Sequence, residues 1–403
     1  MKEKITTAVI GLGGRGFSLL KDVILGLDDV DVVGVCDLYK DRAEAGRQAV
    51  ETARGTSPLS TLDYHEILDI PGLDSIIVTT SWETHIPIAI DAMKKGIRPG
   101  VEVGGAYSID QLWQLVHTSE ETGVPCMMLE NCCYGRYEML LKNMISKGIF
   151  GELVHLEGGY RHDLREEVAF GRENRHYRNA NYLNRNAENY PTHELGPIAQ
   201  MLGINHGNRM LKLTSTASCS KGLNAYLLSR KGEGYDQSRA RFAQGDVVTT
   251  VITCAHGETI TLTLDTTLPR FYSRGLIVEG TKAMFMEDNQ SFFIDGQNTE
   301  EEGFDWRKQW GNADQMLEKY EHPVWDAFIH DGVRGGHGGM DYLVDRAFFD
   351  SVKNQVDPPI DVYDMAAWMS ISVLSEESIA MGSMPVAIPD FTNGRWIETR
   401  KDV

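Results

Sequence analysis

The chain has 403 residues, 42% of them hydrophobic and 24% charged, which is enough to bury a sizeable core and to divide into at least two units. A formal net charge of −19 repels nucleic acid and anionic membrane surfaces, so neither is an expected partner. Six cysteines (Cys36, Cys126, Cys132, Cys133, Cys219, Cys254) have neither C-x-x-C pairing nor disulfide-scaffold density; with no bilayer-length apolar run and no signal-like leader, they predict reduced thiols, no metal site and a cytoplasmic location.

Residues 6–10 form a β-rich apolar run that leads directly into Gly11-Leu12-Gly13-Gly14-Arg15-Gly16 and a helical stretch through Leu25. Glycines at 11, 13 and 16 fit G-x-G-x-x-G, which permits a tight turn, close approach of a pyrophosphate to backbone N–H groups and close helix packing. The phosphates would meet a helix N-terminus. A second strand, 30–36, ends at Asp37, placed to hold the adenosine ribose hydroxyls. An acid there disfavours a 2′-phosphate, so the expected cofactor is NAD.

Strand and helix then alternate: a strand at 75–80, the segment Ser81-Trp82-Glu83-Thr84-His85, a helix at 86–96, a short strand at 101–103, a helix at 109–122 and a strand at 126–130. This βαβ rhythm predicts an N-terminal Rossmann, doubly wound parallel sheet with its ligand at the strands' carboxyl ends. Judged from those strand ends, Glu102 and Asn131 fall near the nicotinamide end. Trp82 could wall that region or equally be a core aromatic, and His85 could cap the following helix.

After about residue 150 the pattern changes. Strand-like segments at 153–160, 210–217, 247–254, 258–266 and 275–279, with helices at 341–354 and 366–381, predict a C-terminal α+β domain on a large open, mainly antiparallel sheet. The expected division is 1–130 for NAD binding and 131–403 for substrate binding and oligomerisation. The polar stretch 161–185 reads as a long loop.

Six separate blocks now become decisive. They are the 11–16 glycine loop, Met127-Met128-Leu129-Glu130-Asn131-Cys132-Cys133-Tyr134-Gly135-Arg136, Gly159-Tyr160-Arg161-His162-Asp163-Leu164-Arg165, Tyr190-Pro191-Thr192-His193, Thr266-Thr267-Leu268-Pro269-Arg270-Phe271-Tyr272-Ser273-Arg274 and Gly336-His337-Gly338-Gly339-Met340-Asp341. Over nearly its whole length the chain resembles the Gfo/Idh/MocA-type oxidoreductases, and through these blocks it resembles one branch, the NAD-dependent α-N-acetylgalactosaminidases of glycoside hydrolase family 109. The resemblance implies a small-molecule glycoside as substrate and a homo-oligomer. It also implies cleavage by transient oxidation at carbon 3, deprotonation at carbon 2, elimination, water addition and re-reduction, with the cofactor carrying the redox chemistry.

Carried over position by position, it makes His193 the base for the carbon 3 hydroxyl and Tyr160 the base for carbon 2, with Glu130, Arg178, Tyr190 and Tyr272 lining the sugar pocket. It includes Gly14 and Arg15 in the cofactor loop, and no role attaches to Gly338, Gly339 or Asp341. A phenol of pKa ~10 is a poor base unless lowered, and Arg161, His162, Arg165 or Arg178 could lower it. A packed tyrosine with a satisfied hydroxyl is the plainer alternative.

Two departures qualify the resemblance. The wider dehydrogenases carry a Lys and an Asp where this chain has Val103 and Asn189, so the usual proton path for net alcohol oxidation is missing. The glycosidase branch usually has a longer insert before the His193 block and a Gly where this chain has Glu194, which leaves the sugar open. A net sugar dehydrogenase is the alternative, and a non-catalytic NAD-dependent sensor the third.

Overall fold

The computed structural model describes residues 3–298 and 305–398, and these divide by contacts into two units. Of the described residues, unit 1 holds 3–135 and 327–366, and unit 2 holds 136–298, 305–326 and 367–398. The chain thus returns to unit 1 late, crossing the simple division at residue 130 expected from the sequence.

Unit 1 contains six parallel strands, β1 (Ile5–Ile10), β2 (Val30–Cys36), β3 (Leu59–Thr61), β4 (Ser75–Val78), β5 (Arg98–Val101) and β6 (Met127–Met128), in the order β3-β2-β1-β4-β5-β6. The order reverses between β1 and β4, where ligands of such sheets bind. β4 is buried at all four residues, as a central parallel strand covered on both faces must be. Several boundaries differ from expectation. The helix after β4 begins at Trp82, so Trp82 and His85 sit in its first turn; Glu102 and Val103 lie just past β5; and Glu130 lies beyond β6, capping a 3₁₀ turn, Asn131–Tyr134, by accepting from Cys132 N at 3.0 Å.

Unit 2 is built on eight strands, β7 (Leu153–Arg161), β8 (Met210–Ala217), β9 (Val247–Cys254), β10 (Thr259–Asp265), β11 (Ile277–Gly280), β12 (Ala283–Met286), β13 (Ser291–Ile294) and β14 (Val386–Ala387). Their order is β13-β12-β11-β7-β10-β9-β8-β14, and every described pairing is antiparallel except β7 with β10. Alternate burial along β10 shows one face packed and the other wetter.

The stretch 161–185 is not the long loop its polarity suggests. It contains helices Arg165–Ala169 and Arg178–Asn184, because Leu164, Val168, Ala169, Phe170 and Tyr182 bury against Leu223, Leu227, Phe242 and Val248. Those anchors are spread too thinly among polar residues to show a period. Among the described residues, no helix is long and apolar enough to cross a membrane.

Candidate active site

The glycine loop has the form a dinucleotide requires. Gly11 has φ +98°, and a Cβ there would stand 2.6 Å from the Thr79 carbonyl carbon; a Cβ at Gly16 would stand 2.0 Å from Gly11 O. Only glycine allows β1, β4 and the helix Gly14–Asp22 to approach this closely. That helix begins after Gly13, whose position carries no side-chain cap, and nothing lies within 4 Å of a Cβ at Gly14, so its first-turn N–H groups have no capping side chain and the chain at Gly14 is open. Asp37 is buried at the end of β2, where it accepts from Leu12 N at 2.7 Å and Tyr39 N at 2.8 Å. The residues present fit an NAD molecule: an uncapped helix terminus for the phosphates and, beside the loop, a fixed carboxylate for the ribose.

Arg15 turns away from this cradle. Its Nε donates to Glu102 Oε2 at 2.6 Å, and its two terminal nitrogens grip Asp341 at 2.7 and 2.9 Å. Asp341 also accepts from Asn131 Nδ2 at 2.8 Å and meets His337 Nδ1 at 2.8 Å. Burial pushes the Asp341 carboxyl up, but His337 and Arg15 outweigh it and hold the group well below the usual range. The Gly336–Asp341 block therefore has a structural meaning. Gly338 and Gly339, with φ +66° and +106°, turn the chain so that Asp341 reaches Arg15 and Asn131, and a Cβ at Gly336 would strike Asp341 Oδ2 at 2.4 Å. One turn later, Asp345 is fully buried, and that burial pushes its carboxyl well above the usual range.

The other expected cofactor residues frame the same strand ends. His85 is buried with Nε2 3.0 Å from Thr80 O, and burial pushes it down to about 4. Trp82 is buried against Gly104, where a Cβ would lie 2.4 Å from its indole. Glu102 also accepts from Val103 N at 2.9 Å, and Val103 is buried.

In unit 2 five of the sequence-selected residues meet. Gly159 pairs with Thr263 across β7 and β10, where a Cβ would lie 2.1 Å from a carbonyl oxygen, and a Cβ on Gly158 would lie 2.6 Å from Glu194 Cβ. Gly158 lets the helix Thr192–Met201 lie directly on β7, while Gly159 lets β10 approach, so His193 in the helix's first turn reaches Tyr160 at the strand's end. The Tyr160 ring lies 5.4 Å from that of His193, 4.4 Å from Tyr190 and 6.5 Å from Tyr272. Tyr190 and His193 are 4.8 Å apart, edge to face. Arg178, buried, sits 5.0 Å over Tyr190 and 6.0 Å over Tyr160, with Glu167 at 3.2 Å. Burial opposes the Arg178 charge, yet Tyr177, Glu167, Tyr160 and Tyr190 more than compensate and hold it well above its ordinary range. The Tyr272 loop is tied to β7 by paired backbone bonds between Arg161 and Ser273 at 3.2 and 3.0 Å.

Of the four groups expected to act on the Tyr160 phenol, the structure retains two. Arg165 is taken by Asp163 at 2.7 and 2.8 Å and by the Tyr226 ring. Arg161 points to the opposite face of β7, packing against Gly275. Arg178 remains, and His162 Nδ1 lies 3.0 Å from Tyr160 Oη. Burial first, and then Arg178, push His162 down, so it meets the phenol as a neutral base and not as the cation the sequence allowed. Its signal was the i, i+2 spacing at a strand's end, which turns Tyr160 and His162 to the same side.

Nearby residues explain the departures. Asn189 is buried with its amide nitrogen on Gln244 Oε1. Glu194, fully buried, lies 3.2 Å from Arg274 Nε, and Arg274 also meets Glu138 and, at 3.4 Å, Glu287. Glu130 belongs to unit 1, and the other residues expected around the sugar belong to unit 2.

The description "Oxidoreductase family, NAD-binding Rossmann fold" matches residues 5–130, and "Glycosyl hydrolase 109, C-terminal domain" matches residues 134–398. The chain is 37% identical to a glycosyl hydrolase family 109 protein of Stenotrophomonas maltophilia, over 98% of this chain and 90% of that protein. It is also 37% identical to an α-N-acetylgalactosaminidase of Tannerella forsythia, over 96% and 86%. Among solved structures, it is similar in fold to an NAD-binding oxidoreductase of Klebsiella pneumoniae (TM-score 0.71, 14% identity, covering 96% of this chain and 100% of that one). An inositol dehydrogenase homologue of Azotobacter vinelandii, complexed with NADH and myo-inositol, is also similar (TM-score 0.67, 16% identity, 96% and 98%). A dinucleotide cradle in one unit and a tyrosine–histidine–arginine cluster in the other accompany full-length relationship to these hydrolases, and the chain belongs to glycosyl hydrolase family 109 as an NAD-dependent glycoside hydrolase.

Proposed function

We propose that the protein cleaves an N-acetylgalactosaminide or a related hexoside by a redox-neutral route through a carbanion at carbon 2. The observation that carries this reading is the meeting of Tyr160, His193 and Arg178 in one cluster. Bound NAD supplies reversible removal and return of the carbon 3 hydrogen as hydride. His193 takes the proton of the carbon 3 hydroxyl, and the resulting ketone acidifies carbon 2. Tyr160 then removes the carbon 2 proton, while Arg178, held charged above the rings, stabilises negative charge on the oxygens. Elimination expels the aglycone, water adds to carbon 1, and the same residues return their protons.

Two particulars favour this over net oxidation. Val103 is a buried apolar residue and Asn189 an amide engaged with Gln244, so neither can relay a hydroxyl proton to solvent. The names of the Tannerella forsythia and Shewanella oneidensis relatives support N-acetylgalactosamine as the sugar. Turnover of nitrophenyl glycosides in heavy water tests the route. Deuterium on carbon 2 of the released sugar, without NADH accumulating, is the expected result. Cleavage without exchange would mean ordinary acid catalysis, and NADH formed in step with product would mean a sugar dehydrogenase.

A further inference from the structure

We propose that His162 is a catalytic partner of Tyr160: it accepts the phenol proton, so that Tyr160 acts as phenolate on carbon 2, and it exchanges that proton with solvent. This rests on the preceding reading and names the group that makes its base competent.

The geometry comes from β7. Tyr160 is the last residue but one of β7, and His162 follows the strand at i+2 and so turns to the same side, with Oη 3.0 Å from Nδ1. The His162 ring is held edge-on to Tyr272 at 5.1 Å and edge-on to Tyr160 at 5.6 Å, so its Nδ1 is fixed toward the phenol. The ring is half-buried while Tyr160 is buried, which makes His162 the more solvent-accessible member of the pair.

The charged and titratable groups facing His162 are Arg178, Glu167, Asp163 and His193, besides Tyr160 and Tyr272. Burial and then Arg178 lower its proton affinity, so at neutral pH one ring nitrogen is free of a proton, and in the tautomer protonated at Nε2 that nitrogen is Nδ1, 3.0 Å from the phenol oxygen. A free phenol near pKa ~10 would be almost wholly protonated at that pH. The relay removes this obstacle only transiently, when substrate is present.

The steps balance. The Tyr160 O–H bond breaks and a bond from His162 Nδ1 to hydrogen forms; the carbon 2–hydrogen bond breaks and the Tyr160 O–H bond re-forms. The carbon 2 electron pair becomes the carbon 1–carbon 2 double bond, and the aglycone oxygen leaves with the carbon 1–oxygen pair. That oxygen takes one proton from solvent, to which the His162 imidazolium returns one.

The test separates the two half-reactions in the protein loaded with NAD. His162→Gln keeps a polar side chain of similar reach but removes the base. Deuterium uptake at carbon 2 should fall by about a hundredfold or more, while first-turnover nicotinamide reduction, assigned to His193, should stay within about threefold. His162→Ala should lose the same exchange and regain it with added imidazole, with a recovery that follows the free-base fraction of the imidazole. Exchange that survives in His162→Gln, or a loss in His162→Ala that imidazole does not restore, would overturn the relay and leave the glycosidase reading standing. Absence of exchange in the unaltered protein would overturn both.

Discussion

Between Ile5 and Asp37, the groups that fit a dinucleotide come from one strand–turn–helix–strand stretch, and most of them are backbone. Tyr160, His162, Arg178, Tyr190, His193 and Tyr272 instead arrive from the end of β7, two helices and two loops. The first region works through geometry that glycines permit, so its chemistry follows from local sequence. The second works through side chains whose proton affinities are set by neighbours distant in the chain, such as Arg178 beside His162. Substitutions should therefore act differently in the two regions: in the cluster through rate, and in the cradle through binding and stability.

The largest expected effect is in the cluster. His193→Ala should lower first-turnover nicotinamide reduction by about 10²–10⁴-fold, the usual range for losing a general base, while leaving NAD affinity as it was. Near-normal reduction in a folded variant would remove His193 from the proposed role.

The network that holds Arg15 should answer in stability. Asp341→Asn leaves Glu102 as the one carboxylate bonded to the Arg15 guanidinium and removes a buried charge on which Asn131 and His337 also depend. Breaking such a pair costs ~3–5 kcal/mol, measurable by urea unfolding of the cofactor-free protein. An unchanged midpoint would mean that the network is replaceable by solvent.

A smaller change should follow at the ribose site. Asp37→Ala should reduce the preference for NAD over NADP by about tenfold, since a hydrogen-bonded carboxylate that repels phosphate is gone while Arg42, 3.7 Å from a Cβ at Gly13, remains beside the loop. Tighter binding of NADP than NAD in the unaltered protein would reverse this assignment of Asp37.

The finest distinction is pH. Glu188, buried two residues before Tyr190, is pushed up by burial from 4.5 to about 8. Because the folded state keeps a proton that the unfolded chain releases, stability should be greatest below 4.5, fall as pH rises through this window, and level off above about 8. The slope is at most about 1.4 kcal/mol per pH unit, and Glu188→Gln should flatten it in unfolding titrations. The Asp341 carboxyl, depressed by its partners, has the opposite sign and loses its contribution only in strong acid.

Much of the fold was legible because periodicity reports burial directly. Strands 30–36, 210–217 and 247–254 and the helix 109–122 have the same bounds in sequence and structure. The short strands β3 and β14 were not foreseen, since two or three residues carry no period. The helices within 161–185 were missed because a few anchors in a polar run are stabilised by distant partners such as Phe242 and Val248.

The site divides in the same way. The sequence by itself determined the dinucleotide cradle, because a glycine's missing Cβ and a strand-end acid act within their own neighbourhood, and the family resemblance named Glu130, Tyr160, Arg178, Tyr190, His193 and Tyr272 as a set. Only the tertiary structure decided that Arg165 and Arg161 are directed elsewhere while His162 meets the Tyr160 hydroxyl, that Arg15 serves Glu102 and Asp341, and that Glu194 is consumed by Arg274. A side chain's partner and protonation depend on which of several nearby charges the packed backbone brings within about 3 Å, and that choice is made by contacts between residues up to hundreds of positions apart.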